Sequence, residues 1–481
     1  MATMRNDPVD IEKLLRDLIQ NIECEIQTRD SPDDHKPVSP DYHENILRWS
    51  DVVVNRPAII ALPDLTTEIS YIILACVRYH VDFAVACGRH TTSSASSSNG
   101  GLIIDLQKIK YVVADEDSMT VRIGGGCRWK DVDDRLVGKG LALVAGIVND
   151  TGIGGITLGG GYGWLAPKYG LIIDNLLQAK VVLADGSVAI ASESQHPDLF
   201  WAIRGAGQCF GVVVEFIFKA HKHKDPVWGG TLMFSHGNIE SIIEFGNNLI
   251  ETTNGDSSMV VQLSRYPFAG TERSLGIMVS VFHYGKKETA LPIFQPLLDL
   301  GPVVDTTMER TYASVNNMLT ADARRGGRNV SKGAAFTTPL RPEFIREKII
   351  PAFEAIHLNI AGGDRSLIEF EFYKPDKWCE TPVVATAHGH RGPFQNAMVM
   401  LYWNDVMEDI RMEAWCRVVA QLVADERSNN GRPAVGPVTE YGNYDHLSAD
   451  PRDVFGVNYQ RLVDIKAQYD PSNVFNKWYQ L

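Results

Sequence analysis

Half of the residues in one fourteen-residue stretch, 152–165, are glycine, and this density constrains the fold more than any other feature of the sequence. Glycine loses more conformational entropy on folding than other residues, so it is expected where the backbone needs a positive φ or a very close approach. A flexible linker would carry serine and charge, whereas this stretch also contains Ile, Leu, Tyr and Trp. We therefore predict backbone folded tightly around a ligand, with amides that form a nest for an anion or a polar ring edge.

The composition of the 481-residue chain limits its class and its partners. The length predicts about two or three domains, and 44% hydrophobic with 22% charged residues is typical of a globular protein. A net charge of −13 argues against nucleic acid or an anionic membrane surface as a main partner. The chain shows neither a secretory signal nor an apolar run that could span a bilayer, and its seven cysteines are scattered. These features predict a cytoplasmic protein with reduced thiols.

The sequence offers no convincing metal site. No CxxC pair occurs, and the pair His388-Gly-His390 lacks a carboxylate or third ligand at a useful spacing. Because zinc sites need three or four such ligands, we predict that no metal is bound.

The first half of the chain alternates short apolar strands with helices, and with the separated strands and helices of the second half the expected fold class is α+β. A helical repeat over residues 9–27 is followed by a polar, proline-containing linker over 28–40. The later elements predicted in this half are strands at 58–62, 83–87, 101–106, 119–124 and 212–218, helices at 63–79, 130–137 and 199–203, and a hairpin at 181–191.

From about residue 226 the strands and helices are longer and more separated. This predicts an antiparallel sheet with helices on one side, and a Pro/Gly-rich break follows at 429–433. The period-two alternation at 368–373 places Glu369 and Glu371 on one face of a strand. The elements predicted here are strands at 230–234, 259–263, 276–283 and 368–373, and helices at 239–252 and 343–356.

Residues 88–101 form a loop of small polar residues around one histidine, His90. By composition it is a low-complexity surface loop, yet a small-residue loop directly after an apolar strand is also where phosphate cradles occur. A lone histidine is more often structural or exposed than functional, so both interpretations of His90 stay open on the residues alone.

Two common nucleotide-binding motifs are weak or absent. Residues 205–211 contain GxG, but their spacing is not that of a dinucleotide fingerprint and they run into a strand instead of a helix. No GxxxxGK[ST] pattern occurs, which excludes a P-loop.

Taken together, the motifs resemble the FAD-linked oxidases related to berberine bridge enzyme, within the vanillyl-alcohol-oxidase-like flavoproteins with a PCMH-type FAD-binding domain. The resemblance covers about residues 40–225 and 365–481. Its motifs are, in chain order, Cys87-Gly-Arg-His-Thr91 with Gly101 and Asp105, Thr151-Gly-Ile-Gly-Gly, Leu158-Gly-Gly-Gly-Tyr-Gly163, Lys168-Tyr-Gly-Leu with Asp174-Asn175, Ala184-Asp-Gly186, Asp198-Leu-Phe-Trp-Ala-Ile-Arg-Gly205, Phe210-Gly-Val-Val213, Asn443-Tyr444, Asn458, Arg461-Leu462 and Asp470-Pro471.

The resemblance implies how the chain is divided. An N-terminal helix and linker occupy residues 1–40, and an FAD-binding domain of two α/β subdomains takes residues 41–225 together with the returning tail, 430–481. Residues 226–429 would form a substrate domain whose antiparallel sheet, covered by helices, lies over the flavin ring.

The resemblance also implies that FAD is attached covalently through His90, which matches the histidine joined to a methyl group of the flavin ring. Arg89 departs from the commonest family pattern, which has a second glycine there, so we expect an altered loop with the bond retained. Bicovalent relatives have a cysteine where this chain has Val148, so a single link is expected, and the histidine that some relatives carry after the GxGG pair is Ile156 here.

Residues 152–155 are expected to lie against the pyrophosphate and the flavin edge, and Asn458 to hydrogen-bond the flavin or order the ring pocket. The complete set of predicted FAD-binding residues is His90, Gly88, Arg89, Thr91, Thr92, Thr151, Gly152, Gly154, Gly155, Gly159, Gly160, Gly163, Gly205, Gly211, Val213 and Asn458.

Two residues are predicted to be catalytic by the same resemblance. Flavin-dependent oxidation needs a base beside the donor C–H bond, so that loss of a proton from a hydroxyl or phenol accompanies hydride transfer. Tyr444 matches a tail tyrosine with this role in several members, and Glu371 approximately matches a strand glutamate used by others. On the residues alone, a solvated strand face is the alternative for Glu371, because a base needs a perturbed environment.

The predicted function is therefore an FAD-dependent oxidase acting on an alcohol, an amine or a C–H bond of a small organic, secondary-metabolite-like substrate. Molecular oxygen would accept the electrons and give hydrogen peroxide. The alternatives are a flavin-containing isomerase or cyclase with no net redox change, a carbohydrate oxidase, and a binding protein that has lost its chemistry. Substrate identity and oligomeric state stay open.

Overall fold

The computed structural model describes residues 10–29, 40–224, 226–266, 273–319, 325–429, 438–445 and 450–481. The predicted linker at 28–40, the domain boundary at 225–226 and the break at 429–433 therefore lie wholly or partly outside the described residues.

The chain opens with a four-stranded sheet covered by helices. Its elements are α1 (Ile11–Asn21), β1 (Glu25–Thr28), α2 (Pro40–Ile46), β2 (Ile59–Leu62), α3 (Thr66–Arg78), β3 (Phe83–Ala86) and β4 (Leu102–Asp105). The strand order is β1-β2-β4-β3, with β4 parallel to both β2 and β3. The predicted helix over residues 9–27 is wrong at its end. It stops at Asn21, and residues 25–28 pair antiparallel with β2 instead.

A five-stranded antiparallel sheet follows, in the order β5-β6-β10-β8-β9. Apolar residues of β8 and β10 also reach the core of the first sheet, so the two sheets share buried side chains. The elements of this part are β5 (Val112–Asp115), β6 (Thr120–Gly124), α4 (Trp129–Leu136), β7 (Leu141–Ala142), α5 (Ile153–Leu158), α6 (Ala166–Tyr169), β8 (Leu176–Val182), β9 (Val188–Ser192), α7 (Pro197–Ala206), β10 (Val212–Lys219) and β11 (His221–Lys222).

The central part forms one eight-stranded antiparallel sheet, as the separated strands and helices predict. Its main path is β15-β12-β14-β13-β18-β19-β17, and β16 pairs with β12. The elements are β12 (Val227–Ser235), α8 (Ile239–Thr252), β13 (Ser257–Tyr266), β14 (Ser274–His283), α9 (Lys287–Leu298), β15 (Val304–Asp305), β16 (Met308–Arg310), α10 (Tyr312–Val315), β17 (Arg328–Phe336), α11 (Pro342–Phe344), α12 (Ile350–Asn359), β18 (Leu367–Phe372), α13 (Asp376–Cys379), β19 (Gln395–Trp403) and α14 (Asp409–Asn429).

The period-two geometry of β18 and β19 separates two environments. Ile368 and Phe370 of β18 pack into an apolar core with the helices, as does Val399 of β19. The alternate residues, among them Glu369 and Glu371, face away from those helices and line a cavity. One face of the sheet is therefore a structural core and the other carries polar chemistry.

The C-terminal segment, with α15 (Pro451–Phe455) and α16 (Tyr459–Tyr469), packs against the first part of the chain. Phe475 lies edge-on to Phe83 of β3 at 5.7 Å between ring centroids. The buried Lys466 ammonium donates to the carbonyl of Cys209 at 2.7 Å and to Asp470 at 2.6 Å. No helix among the described residues is long and apolar enough to cross a bilayer.

Candidate active site

A cavity of about 360 Å³ lies between the first part of the chain and the open face of the eight-stranded sheet. Its walls come from the loop after β3, the chain around the start of α5, the start of β10, strands β18 and β19, and the tail. The predicted FAD-binding and catalytic residues that line it are Gly88, Arg89, His90, Thr91, Thr92, Thr151, Gly152, Gly154, Gly155, Gly211, Val213, Glu371 and Tyr444. The candidate flavin-binding and catalytic residues thus share one cavity.

Two glycine loops cross beside this cavity in contact with each other. A Cβ added to Gly88 would lie 2.2 Å from the backbone nitrogen of Gly152, and one added to Gly152 would lie 2.5 Å from that of Gly88. Since real Cβ atoms do not approach backbone this closely, both positions require glycine. Backbone hydrogen bonds of 2.7–3.0 Å also tie residues 149–153 to residues 127–130 at the start of α4.

Arg89 has an unusual backbone conformation for a residue with a side chain. Its φ is +59°, a conformation in which a non-glycine residue is uncommon. Its side chain is held by the buried Asp105 carboxylate, to which Nε donates at 3.1 Å, and by Asn45 Oδ1 at 2.8 Å. The guanidinium is thereby anchored among protein acceptors beside the loop.

His90 follows directly and is fixed on two sides. Its imidazole stacks on Trp49, with ring centroids 4.5 Å apart and planes at 24°. Its Nε2 lies 3.2 Å from Asp150 Oδ2. Burial lowers the pKa of His90, despite the opposing effect of the Asp150 carboxylate, so the ring is neutral near pH 7. A neutral imidazole in this position donates from Nε2 and keeps its lone pair on Nδ1.

Four of the predicted glycines lie outside the cavity lining, and their surroundings show why glycine is needed there. A Cβ on Gly159 would meet Asn443, and one on Gly163 would lie 1.7 Å from the carbonyl oxygen of Ala145. Gly160 and Gly205 have φ values of +126° and +136°, and both approach His388 closely. Gly159, Gly160 and Gly163 shape the turn after α5, and Gly205 forms a kink in α7 where the backbone of His388 packs against it.

Asn458, also predicted to serve the flavin, is likewise absent from the cavity lining. Its buried amide donates to the carbonyls of Val383 at 2.9 Å and Thr386 at 3.1 Å. The residue therefore fixes the loop between α13 and β19.

The two predicted catalytic residues are in direct contact. The Tyr444 hydroxyl donates to Glu371 Oε1 at 2.5 Å, and Asn396 Nδ2 donates to Glu371 Oε2 at 2.9 Å. Glu371 is 1% exposed, so it does not belong to a solvated strand face. On β18 it is buried and fully hydrogen-bonded, and it faces the cavity.

A second carboxylate shares this environment. Glu369, two residues away on the same strand face, is 3% exposed and accepts from Gln262 Nε2 at 2.5 Å. Burial raises the pKa of Glu371, and repulsion from Glu369 raises it further. Burial likewise raises the pKa of Glu369 and the pKa of the Tyr444 phenol. The pair therefore holds a proton to higher pH than ordinary carboxyl groups do.

His390, of the His388-Gly-His390 motif, supports the environment of Glu371. His390 Nδ1 lies 2.5 Å from the carbonyl oxygen of Thr439 and Nε2 lies 2.8 Å from Asn396 Oδ1, so the ring supports the amide that contacts Glu371. Within the described residues no group of three or more metal-ligating side chains occurs.

The cavity suits FAD. A Cβ added to Gly155 would have no neighbour within 4 Å, and one added to Gly154 would have none closer than 3.9 Å. Both glycines therefore open to the cavity and allow a ligand to approach the backbone, as a pyrophosphate or a ring edge requires. The hydroxyl-bearing Thr91 and Thr92 line the same region, beside the free Nδ1 edge of His90.

Sequence reasoning missed several residues that complete the site. Asp150 lies two positions before the GxGG motif and could have been flagged as a charged residue beside it. Trp49, Asn396 and Arg325 carry no local signal, because only the fold brings them to His90, Glu371 and Asp150 respectively. Gln262 is recognisable only once β13 is paired with β18.

Comparisons with known proteins agree with this geometry. The family described as "FAD binding domain" matches residues 57–192, and the family described as "Berberine and berberine like" matches residues 440–477. The FAD-linked oxidoreductase pgmH of Aspergillus terreus is 31% identical over 463 residues, covering 92% of this chain and 91% of the relative.

Two solved structures share the fold. The 6-hydroxy-D-nicotine oxidase from Arthrobacter nicotinovorans superposes with a TM-score of 0.79 at 23% identity, covering 95% of this chain and 98% of that one. Glucooligosaccharide oxidase from Acremonium strictum, which carries a 6-S-cysteinyl, 8α-N1-histidyl FAD, gives a TM-score of 0.76 at 21% identity and covers 96% and 97% of the two chains. With its glycine loops and hydrogen-bonded tyrosine–glutamate pair on one cavity, the chain belongs to the berberine-bridge-enzyme-like FAD-linked oxidoreductases.

Proposed function

We propose that this protein is an oxidase that takes a hydride from an alcohol, an amine or an activated C–H bond of a small organic molecule. Molecular oxygen would then accept the electrons and leave as hydrogen peroxide. The observation that carries the proposal is the hydrogen bond of 2.5 Å between the Tyr444 hydroxyl and the buried Glu371 carboxylate, on the same cavity as His90.

The residues that would hold FAD are those of the two crossing loops. Gly88 and Gly152 let the loops meet, Gly154 and Gly155 open the backbone to the ligand, and His90 would form the covalent bond to the flavin. Bound FAD supplies the hydride acceptor. Val148, at the position of the second attachment site in bicovalent relatives, lines the cavity and has no nucleophile, so the link would be single.

Tyr444 and Glu371 are suited to proton removal. A substrate hydroxyl or amine that donates to the Tyr444 oxygen can release its proton there while the phenol passes its own proton to Glu371. Because the pKa of Glu371 is raised, its carboxylate is a stronger base than an exposed glutamate. Asn396 keeps the carboxylate oriented through this transfer.

The remaining walls favour a compact substrate with an apolar body. Met398, Met400 and Tyr402 of β19 line the cavity together with Leu319. Thioether and aliphatic side chains pack well against the apolar faces of a ring. A sugar would fit less well, because its hydroxyls would need many more polar partners. A small aromatic or alicyclic metabolite is therefore favoured over an oligosaccharide.

The test is a screen for oxygen uptake with small phenols, alcohols and amines, followed by anaerobic mixing of the best substrate with the holoenzyme. Loss of the oxidised flavin absorbance together with peroxide formation in air is the expected result. Product formation while the flavin stays oxidised would instead establish an isomerase or cyclase. Glu371→Gln serves as the matched variant, since it keeps the shape of the site but cannot accept the proton.

A further inference from the structure

An ion-pair cluster lies behind the imidazole of His90. Asp150 Oδ2 faces His90 Nε2 at 3.2 Å and accepts from Arg325 Nη2 at 2.8 Å and Nε at 3.1 Å. Asp150 Oδ1 accepts from Arg128. Burial alone would raise the pKa of the Asp150 carboxyl, but the hydrogen bonds from His90 and Arg325 outweigh it and hold that pKa below its usual range. The carboxylate is therefore a fixed negative charge at one edge of the imidazole.

The cluster connects separate regions of the chain. Arg128 precedes α4, whereas Arg325 comes from the segment before β17 of the eight-stranded sheet. Arg325 Nη2 also donates to the carbonyl of Gly88 at 2.6 Å, two residues before His90 in the loop. A single guanidinium thus holds both the loop that carries His90 and the carboxylate that faces it.

The orientation of His90 follows from these contacts. Trp49 fixes the plane of the ring, and Asp150 fixes its rotation by accepting from Nε2. In the part of the chain that the structure describes, this is the only hydrogen bond of the imidazole. A carboxylate can accept only from a protonated Nε2, so the lone pair is confined to Nδ1.

We propose that Asp150, held by Arg128 and Arg325, is the positioning residue that makes Nδ1 of His90 the nucleophile in covalent flavin attachment. The inference rests on the proposed histidyl link and extends it to the residues that form it. Asp150 selects the tautomer and stabilises the positive charge that develops on the imidazole as its lone pair is used, as carboxylates do beside catalytic histidines.

The reaction balances with molecular oxygen as the oxidant. A bond forms between Nδ1 and the ring methyl carbon of FAD, while one C–H bond of that methyl group and the Nε2–H bond break. The two electrons released reduce the flavin together with the two protons, and oxygen removes both electrons and both protons as hydrogen peroxide. Asp150 is neither consumed nor permanently protonated.

The test compares the covalent FAD content of purified wild type and Asp150→Asn by intact mass, before and after incubation with excess FAD in air. Asparagine keeps the size of the side chain, but its amide can donate to Nε2 and so move the proton to Nδ1. We expect Asp150→Asn to fold and bind FAD non-covalently, with covalent incorporation slower by about tenfold or more. Asp150→Glu, which retains the charge, should recover part of the incorporation.

Asp131→Asn is the matched control, because Asp131, in the first turn of α4, pairs with Lys110 at 2.8 Å and makes no contact with His90. Its covalent FAD content should equal that of the wild type. Covalent incorporation in Asp150→Asn at the wild-type rate would overturn the inference and leave the histidyl link standing. Wild type without any covalent flavin would overturn both. If Asp150→Asn fails to fold, Arg325→Met takes its place, and a wild-type rate in that variant would equally overturn the inference.

Discussion

Replacing Tyr444 by phenylalanine should move the pH dependence of oxidation as well as reduce its rate. The substitution removes the hydroxyl that donates to Glu371 at 2.5 Å and leaves the buried carboxylate with Asn396 as its remaining donor. Less stabilisation of the ionised form raises the pKa of Glu371 beyond its already raised value. A base must be ionised to act, so activity should appear only at higher pH.

The expected shift in the pKa of Glu371 follows from the free energy of the hydrogen bond that is lost. A hydrogen bond to a charged group contributes about 1.5–3 kcal/mol, and about 1.4 kcal/mol corresponds to one pKa unit. The acidic limb of the kcat/KM profile should therefore move up by about 1–2 pH units. At neutral pH kcat/KM should fall by about 10- to 100-fold from this effect, and by up to about 10⁴-fold if Tyr444 itself relays the proton.

The assay is the initial rate of oxygen consumption from pH 5 to 10, normalised to the flavin content of each holoenzyme. Tyr402→Phe is the matched control, because Tyr402 lines the same cavity but its hydroxyl contacts the Met400 sulfur and no carboxylate. The acidic limb of the kcat/KM profile of Tyr402→Phe should lie at the same pH as that of the wild type. A Tyr444→Phe enzyme with an unmoved limb and kcat/KM within about threefold of wild type would refute the reasoning.

Three further outcomes follow from the structure. Gly152→Ala should lower the flavin content of the purified protein by about tenfold or more, because its Cβ would lie 2.5 Å from Gly88 nitrogen; full loading would contradict the loop crossing. Burial raises the pKa of Asp133 to about 8 in the folded protein. The protonated side chain therefore stabilises the fold at low pH, and this stabilisation is lost as the pH rises towards 8. Asp133→Asn, which can also donate to the orphaned Oδ1 of Asn316, should melt higher than wild type at pH 9, and an equal or lower melting temperature would speak against this. Lys466→Met should cost about 3–5 kcal/mol in denaturant unfolding, since it leaves a buried carboxylate unpaired, and a loss below about 1 kcal/mol would mean that the pair is not buried as described.

Periodicity predicted the strands and helices that carry a clear pattern. The helix at 239–252 has the predicted bounds, and the alternation at 368–373 correctly placed Glu369 and Glu371 on one face. The extension of the first helix to residue 27 failed, because residues 25–28 gain their hydrogen bonds from β2, a partner more than thirty residues away. Local patterns do not contain such pairings.

The same limit applies to the site. The glycine motifs identified the two loops, but only the folded chain shows that Gly88 and Gly152 touch each other. Tyr444 and Glu371 are far apart in sequence, and their contact depends on the return of the tail to the sheet. Glycines 159, 160, 163 and 205 fit the family motif equally well, yet they face protein atoms and not the cavity. The sequence alone cannot distinguish these two kinds of glycine.

The most direct measurement is acid precipitation of the purified protein followed by proteolysis and peptide mass analysis. We predict a yellow pellet in which one FAD is attached to the peptide that contains His90, with no second attachment on any other residue. Flavin released entirely into the supernatant, or attached to a peptide without His90, would contradict it.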